Sequence, residues 1–165
     1  MHDDGFTRRF GTGVERIDVV DIDPHNEHAT LLADLTEAGS LPSSAYDCVI
    51  LTQTLQFVSD VEVAVLNVWQ ALRPSGVMLV SVPVTSRLDP TSGTSGDYWR
   101  WTPAGLALQL RQLLPDADIT VVGLGGLVAT LAFVHGLSAE ELDASELDVD
   151  DPHFPLLACA RVAKP

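Results

Sequence analysis

Asp23 stands at the end of an apolar run, Ile17–Ile22, directly before Pro24. A carboxylate in that place can accept hydrogen bonds from both hydroxyls of a ribose. The competing reading is that Asp23-Pro24 simply turns the chain. Asp34 follows the next apolar run, Ala29–Ala33, and could either accept a bond from a purine amine or cap the turn after it. Thr52 and Gln53 follow a third run, Tyr46–Leu51. Further on, Asp97-Tyr98-Trp99-Arg100-Trp101 sets aromatic rings beside a carboxylate and a guanidinium. Such a group can stack on a sugar or flat acceptor while bonding its hydroxyls, or it can anchor a loop ahead of a helix capped by Thr102. Of the histidines, His25 and His135 are placed to act as bases, although His135 ends an apolar helix and fits a structural role better. No His or Cys pair has zinc-site spacing, so no metal is expected, and no Gly-x-Ser-x-Gly elbow occurs.

These residues need a frame that gathers them. Cys48–Leu51 and Val77–Val82 are continuous apolar runs, which suit strands of a parallel sheet buried on both faces. In such sheets ligands bind beyond the carboxyl ends of strands, which directs attention to Thr52, Gln53 and the segment after Pro83. Asp60 caps a predicted helix through Ala71, which Pro74 and Gly76 end. Thr102-Pro103 opens another helix, to about Leu114. Ile119–Val122 reads as a strand, Leu124–Leu137 as a helix rich in small residues, and Leu156–Val162 as the closing strand. The polar stretch Thr85–Asp97 is long enough to be a functional loop. The alternating order predicts an α/β three-layer fold, a single domain over residues 1–165.

Composition narrows the partners. The chain carries a net charge of −14, which disfavours nucleic acid and anionic membranes, since both are bound through Lys and Arg. Seven of the twelve residues from Glu140 to Asp151 are acidic, which reads as a solvated surface, with a docking role as the minority alternative. No apolar run approaches the roughly 20 residues that span a bilayer, and MHDDGFTRRF lacks the apolar core of a signal peptide. A cytoplasmic protein is expected. Cys48 and Cys159 fall within predicted strands and are expected to be buried, reduced thiols.

The segment from Tyr46 to Pro83 adds a family resemblance. Tyr46-Asp47, Leu55, Asp60 and Leu72-Arg73-Pro74-Ser75-Gly76 resemble the class I S-adenosylmethionine-dependent methyltransferases, whose corresponding helix ends in LRPGG or LKPGG. FTRRFG, ADL, YDCVILTQTLQFV and GDYWRWT look like one bacterial subgroup, associated with sugar modification. The resemblance covers roughly Phe6 to Val162. It implies a Rossmann-like methyltransferase fold with a mostly parallel sheet and an antiparallel C-terminal strand. It implies S-adenosylmethionine as cofactor, with Asp23 on its ribose, Asp34 and Leu35 at its adenine, and Thr52 and Gln53 beside its methionine portion. It assigns Asp97, Tyr98, Trp99 and Arg100 to the acceptor, a small or glycan-like molecule methylated on oxygen.

Three departures matter. Phe57 stands where the family often has His, and Ser75 replaces the first Gly of Pro-Gly-Gly, which needs permissive backbone angles. The family's first, central strand has no counterpart, because Met1 precedes Asp3 by two residues and Gly11-Thr12-Gly13 follows no buried run. Loss of that strand would leave ladder groups exposed. Three readings stay open: the start is misplaced, another copy or a partner protein fills the gap, or the chain is a reduced, non-catalytic relative. The alternative function is a non-catalytic methyltransferase-like module docked on a partner enzyme. A nucleotide-dependent oxidoreductase is the weaker third reading, for want of a Gly-x-Gly-x-x-Gly fingerprint.

Overall fold

The first two strands are far shorter than the apolar runs that contain them. In the computed structural model, which describes residues 13–89 and 96–165, β1 is Val20–Asp21 and β2 is Leu31–Leu32. Among the described residues they pair only with each other, in parallel, as a sheet of two strands. FTRRFG, Gly11-Thr12 and the centre of the Thr85–Asp97 stretch lie outside the described residues. A second sheet holds β3 (Tyr46–Thr52), β4 (Leu72–Pro83), β5 (Asp118–Leu124) and β6 (Leu157–Ala163), in the order β3-β4-β6-β5. β3 and β4 are parallel, and β6 is antiparallel to both of its neighbours. The architecture is the expected Rossmann-like α/β fold with an antiparallel closing strand. Among the described residues no strand joins the two sheets.

Local sequence explains the helices. Helix α1 (Val61–Ala71) starts where the Asp60 carboxylate accepts the Val63 N–H at 3.1 Å. Helix α2 (Pro103–Leu113) starts where the Thr102 hydroxyl accepts the Gly105 N–H at 3.0 Å, with Pro103 in the first turn. Both caps satisfy donors that a helix leaves open at its start. The Lys164 ammonium reaches back to the carbonyls of Trp69 and Leu72 at 2.8 and 2.9 Å, closing the far end of α1. Helices α3 (Leu127–His135) and α4 (Ala144–Leu147) occupy the connection between β5 and β6. Leu124 ends β5 instead of opening α3, and Gly136, with φ of +79°, terminates α3 in the left-handed conformation.

Arg73-Pro74-Ser75-Gly76 does not separate helix from strand as expected, because β4 begins at Leu72. The irregularity appears as a register shift between Tyr46 and Cys48. Ser75 takes φ of +63°, so the conformation that favours glycine is kept without one. At Gly76 a Cβ would sit 2.9 Å from the Arg73 carbonyl oxygen and 3.3 Å from that of Asp47, so this glycine is required by space.

The expectation of strands buried on both faces needs correction. Met78, Val80, Val82, Ala158, Ala160 and Val162 face a core shared with Val65, Val68, Leu106 and Leu110 of α1 and α2. The opposite face carries Cys48, Leu79 and Val122, all exposed. Cys48 is therefore not buried, and Cys159 is half-buried; partial desolvation pushes both thiols up. α1 and α2 both pack on the one face, and the hydrophobic runs of β3 and β4 do not reveal that the other stays open.

Candidate functional site

Strand direction brings the chemistry to one edge. β3 and β4 run together, so Thr52 and Pro83 finish on the same side, and β5 joins them because both it and β4 oppose β6. At the opposite end of this frame Tyr46 lies close to Asp18, just before β1; burial and that carboxylate hold the phenol above its usual pKa. On the carboxyl side, α1 holds the loop after β2. Asn67, 4% exposed, donates to the carbonyls of Leu35 and Glu37 at 2.9 and 2.8 Å and accepts the Gly39 N–H at 2.9 Å.

That loop borders an open cavity of about 440 Å³ lined by Ile22, Leu32, Ala33, Asp34, Glu37 and Ser40. One Asp34 oxygen accepts from the Thr36 hydroxyl at 2.7 Å and the Thr36 N–H at 2.8 Å, and these bonds lower its pKa. Leu35 packs against the core. Asp23 is exposed and one of its carboxylate oxygens accepts the His25 N–H at 2.9 Å, which makes it a turn former in this structure. Asp21, the last residue of β1, was not singled out by the sequence. Its carboxylate accepts the Asp23 N–H at 2.9 Å and the Asn26 amide, bonds that lower its pKa.

After β3, Gln53 adopts φ of +50°, a strained angle for a residue with a side chain. Its N–H bonds the Ser81 carbonyl at 2.9 Å, and its amide oxygen accepts from Gln56 at 3.3 Å. The Asp97–Trp101 segment is sewn to this edge: the Tyr98 N–H bonds the Gln56 carbonyl at 2.8 Å, and the Trp101 N–H bonds that of Pro83 at 3.0 Å. Asp97 and Arg100 are mutually committed. The guanidinium forks onto both carboxylate oxygens and holds the Asp97 pKa down to about 2, while also bonding the Arg87 and Trp99 carbonyls. Trp101 is buried and donates to Gln109, whereas Tyr98 and Trp99 remain 48% and 42% exposed. The Trp99 indole donates to the Val58 carbonyl at 2.8 Å.

Over residues 8–80 the chain matches the methyltransferase domain family. No curated protein matches it in sequence. Among solved structures, an S-adenosylmethionine-dependent methyltransferase from Mesorhizobium loti is similar with a TM-score of 0.55 and 17% identity, over 88% of this chain and 78% of that one. One from Archaeoglobus fulgidus follows at 0.53 and 15%, over 88% and 74%. Phosphoethanolamine N-methyltransferase 2 of Haemonchus contortus, solved with S-adenosyl-L-methionine, gives 0.51 and 13%, over 81% and 36%. The chain has the fold of the S-adenosylmethionine-dependent methyltransferases.

In this methyltransferase fold, three buried side-chain polar atoms among the described residues lack a hydrogen-bond partner: Ser40 Oγ, Gln56 Oε1 and Arg100 Nε. All three belong to segments that follow the carboxyl ends of strands, after β2, β3 and β4. Leaving a buried polar atom unpaired costs about 1–3 kcal/mol, so each of the three is a place where a further hydrogen bond would be favourable, and Ser40 is also among the residues lining the cavity beside Asp34. Ser40 and Gln56 escaped the sequence reading because nothing in their spacing sets them apart. Asp21 was missed because the apolar run was extended to Ile22, one residue beyond the strand. His25 and His135 are both exposed, and His135 closes the last turn of α3.

Proposed function

We propose that this protein transfers a methyl group from S-adenosylmethionine to an oxygen of a small or glycan-like acceptor. The observation that carries the proposal is the open cavity lined by Asp34 and by Ser40, whose buried Oγ lacks a partner, in a methyltransferase fold. The cavity beside β1 and β2 suits an adenine: Ile22, Leu32 and Ala33 offer apolar walls, the second Asp34 oxygen can accept the ring's amine, and Ser40 Oγ needs a partner. Asp23 would hold the ribose through its second oxygen, on a turn shaped by Asp21. Thr52 and Gln53 would border the methionine portion, with the left-handed Gln53 held in place by Ser81. When bound, the cofactor supplies an electrophilic methyl group on a sulfonium, already a good leaving group. The chain's task is then alignment, which can supply much of the rate. Tyr98 and Trp99 would provide the acceptor's stacking surface, with the Asp97–Arg100 pair setting the loop's shape. Transfer would exchange the methyl–sulfur bond for a methyl–oxygen bond, with the thioether S-adenosylhomocysteine leaving and the acceptor's hydroxyl proton passing to water.

The divided sheet favours a second reading, in which the chain is a methyltransferase-like module completed by a partner protein or by another copy at the outer edge of β3. Calorimetric titration with S-adenosylmethionine separates the two. The catalytic reading expects binding weaker than about micromolar, or about −8 kcal/mol, and its loss in Asp34→Ala. Absence of heat from both proteins at saturating cofactor would refute it and leave the docking reading.

A further inference from the structure

Helix α3 is apolar on the side that faces water. Leu127, Leu131 and Val134 are spaced three and four residues apart, so they share one stripe, and each is 43–51% exposed. Val128, 45% exposed, flanks the stripe. The helix's other side is used for packing: Ala129, Thr130 and Ala132 are buried, and the Thr130 hydroxyl bonds the Phe154 carbonyl at 3.0 Å. Contiguous exposed leucines and valines are the signature of an interaction surface, because single exposed apolar residues are common but a stripe is not.

The charges of the segment that follows the helix indicate what covers the stripe. Between Arg111 and Arg161 the chain contains no lysine or arginine and nine acidic residues, seven of them in the segment from Glu140 to Asp151 that follows the helix. α4, within that segment, packs against α3. A second copy of this chain would bring the same acidic rim against itself in a twofold interface, where like charges oppose. An anionic lipid surface is repelled for the same reason.

We propose that the α3 stripe and its acidic rim dock a basic amphipathic helix of a partner protein, its apolar face on Leu127, Leu131 and Val134 and its lysines or arginines toward Glu140, Asp143 and Glu146. The helix-on-face mode supplies affinity from the apolar anchors and orientation from the rim. Since α3 follows the carboxyl end of β5, the partner is seated beside the sheet edge that holds the candidate site. The dock is independent of methyl transfer: it requires neither Asp34 nor a cofactor.

The test uses the full chain and a labelled synthetic helix of leucine and lysine, with a leucine–glutamate helix of the same pattern as its counterpart, read by fluorescence anisotropy. The expected result is saturable binding of the lysine helix alone, weakened by salt. Leu131→Asn/Val134→Asn, which leaves every charge in place, should weaken it at least about tenfold. Leu127→Asn/Val128→Asn should reproduce the loss independently, while Leu108→Asn, at an exposed leucine on α2, should leave it unchanged. Equal binding of both helices, or binding that ignores the α3 substitutions, overturns the proposal. So does sedimentation showing a dimer that the α3 substitutions dissociate, or retention of the chain on phosphatidylserine vesicles that those substitutions release.

Discussion

Replacing Asn67 by Ala should cost about 3 kcal/mol of stability and, separately, loosen the Asp34 cavity. Asn67 is 4% exposed and spends its side chain on three backbone groups of the loop after β2: the Leu35 and Glu37 carbonyls and the Gly39 N–H. A typical hydrogen bond contributes a net of about 0.5–1.5 kcal/mol, and a backbone group left buried without a partner costs about 1–3 kcal/mol. Three bonds at about 1 kcal/mol each give the figure, with partial rehydration of the loop keeping it below the full penalty. Asn67→Asp is the sharper variant. A carboxylate can still accept from Gly39 but places charge against two carbonyl oxygens, so it should destabilise by more than Ala. Urea unfolding measures the stability, and amide hydrogen exchange at Gly39 reports the local loosening, since that N–H loses its acceptor in the Ala variant. If Asn67→Ala costs less than about 1 kcal/mol and Gly39 exchanges as in the parent, the loop is held by something else and the reasoning fails.

Other outcomes follow from single contacts. Ser75→Gly should stabilise the chain by about 0.5–1 kcal/mol by relieving a left-handed residue of its Cβ, less the added freedom of the unfolded chain; thermal unfolding checks this. Trp101→Ala should cost about 3–5 kcal/mol as a core truncation, whereas Trp99→Ala should raise the acceptor KM with cofactor affinity unchanged; equal damage to both functions would make Trp99 an anchor. The Asp97 pKa is depressed to about 2 by Arg100, so the pair's stability is present above the ordinary carboxylate pKa near 3.8 and is lost as pH falls from there through about 2. Asp97→Asn should therefore flatten acid unfolding in that window, and an unchanged profile would discount the pair. Asp23→Ala should weaken cofactor binding by about 1.5–3 kcal/mol with the melting temperature unmoved, a result that calorimetry beside a thermal melt would contradict if affinity stayed put.

The sequence alone determined what rests on neighbours along the chain. Asp60 and Thr102-Pro103 were legible as helix starts because each cap accepts a donor three residues away. The apolar runs located β3, β4 and β6, and the Tyr46–Gly76 motif pointed to the methyltransferase fold that the solved structures share. Packing decided the remainder. An apolar run reports that side chains prefer to leave water but not how many faces are covered, so Cys48 and Leu79 were expected inside and lie exposed. A strand's length depends on ladder partners, so the run Ile17–Ile22 yields only Val20–Asp21 beside β2. The candidate site is likewise a product of distance in sequence brought close in space: Asn67 bonds a loop some thirty residues before it, and Trp99 bonds Val58 across forty-one positions. The unpaired Ser40, Gln56 and Arg100 atoms could be recognised only once folding had removed them from water.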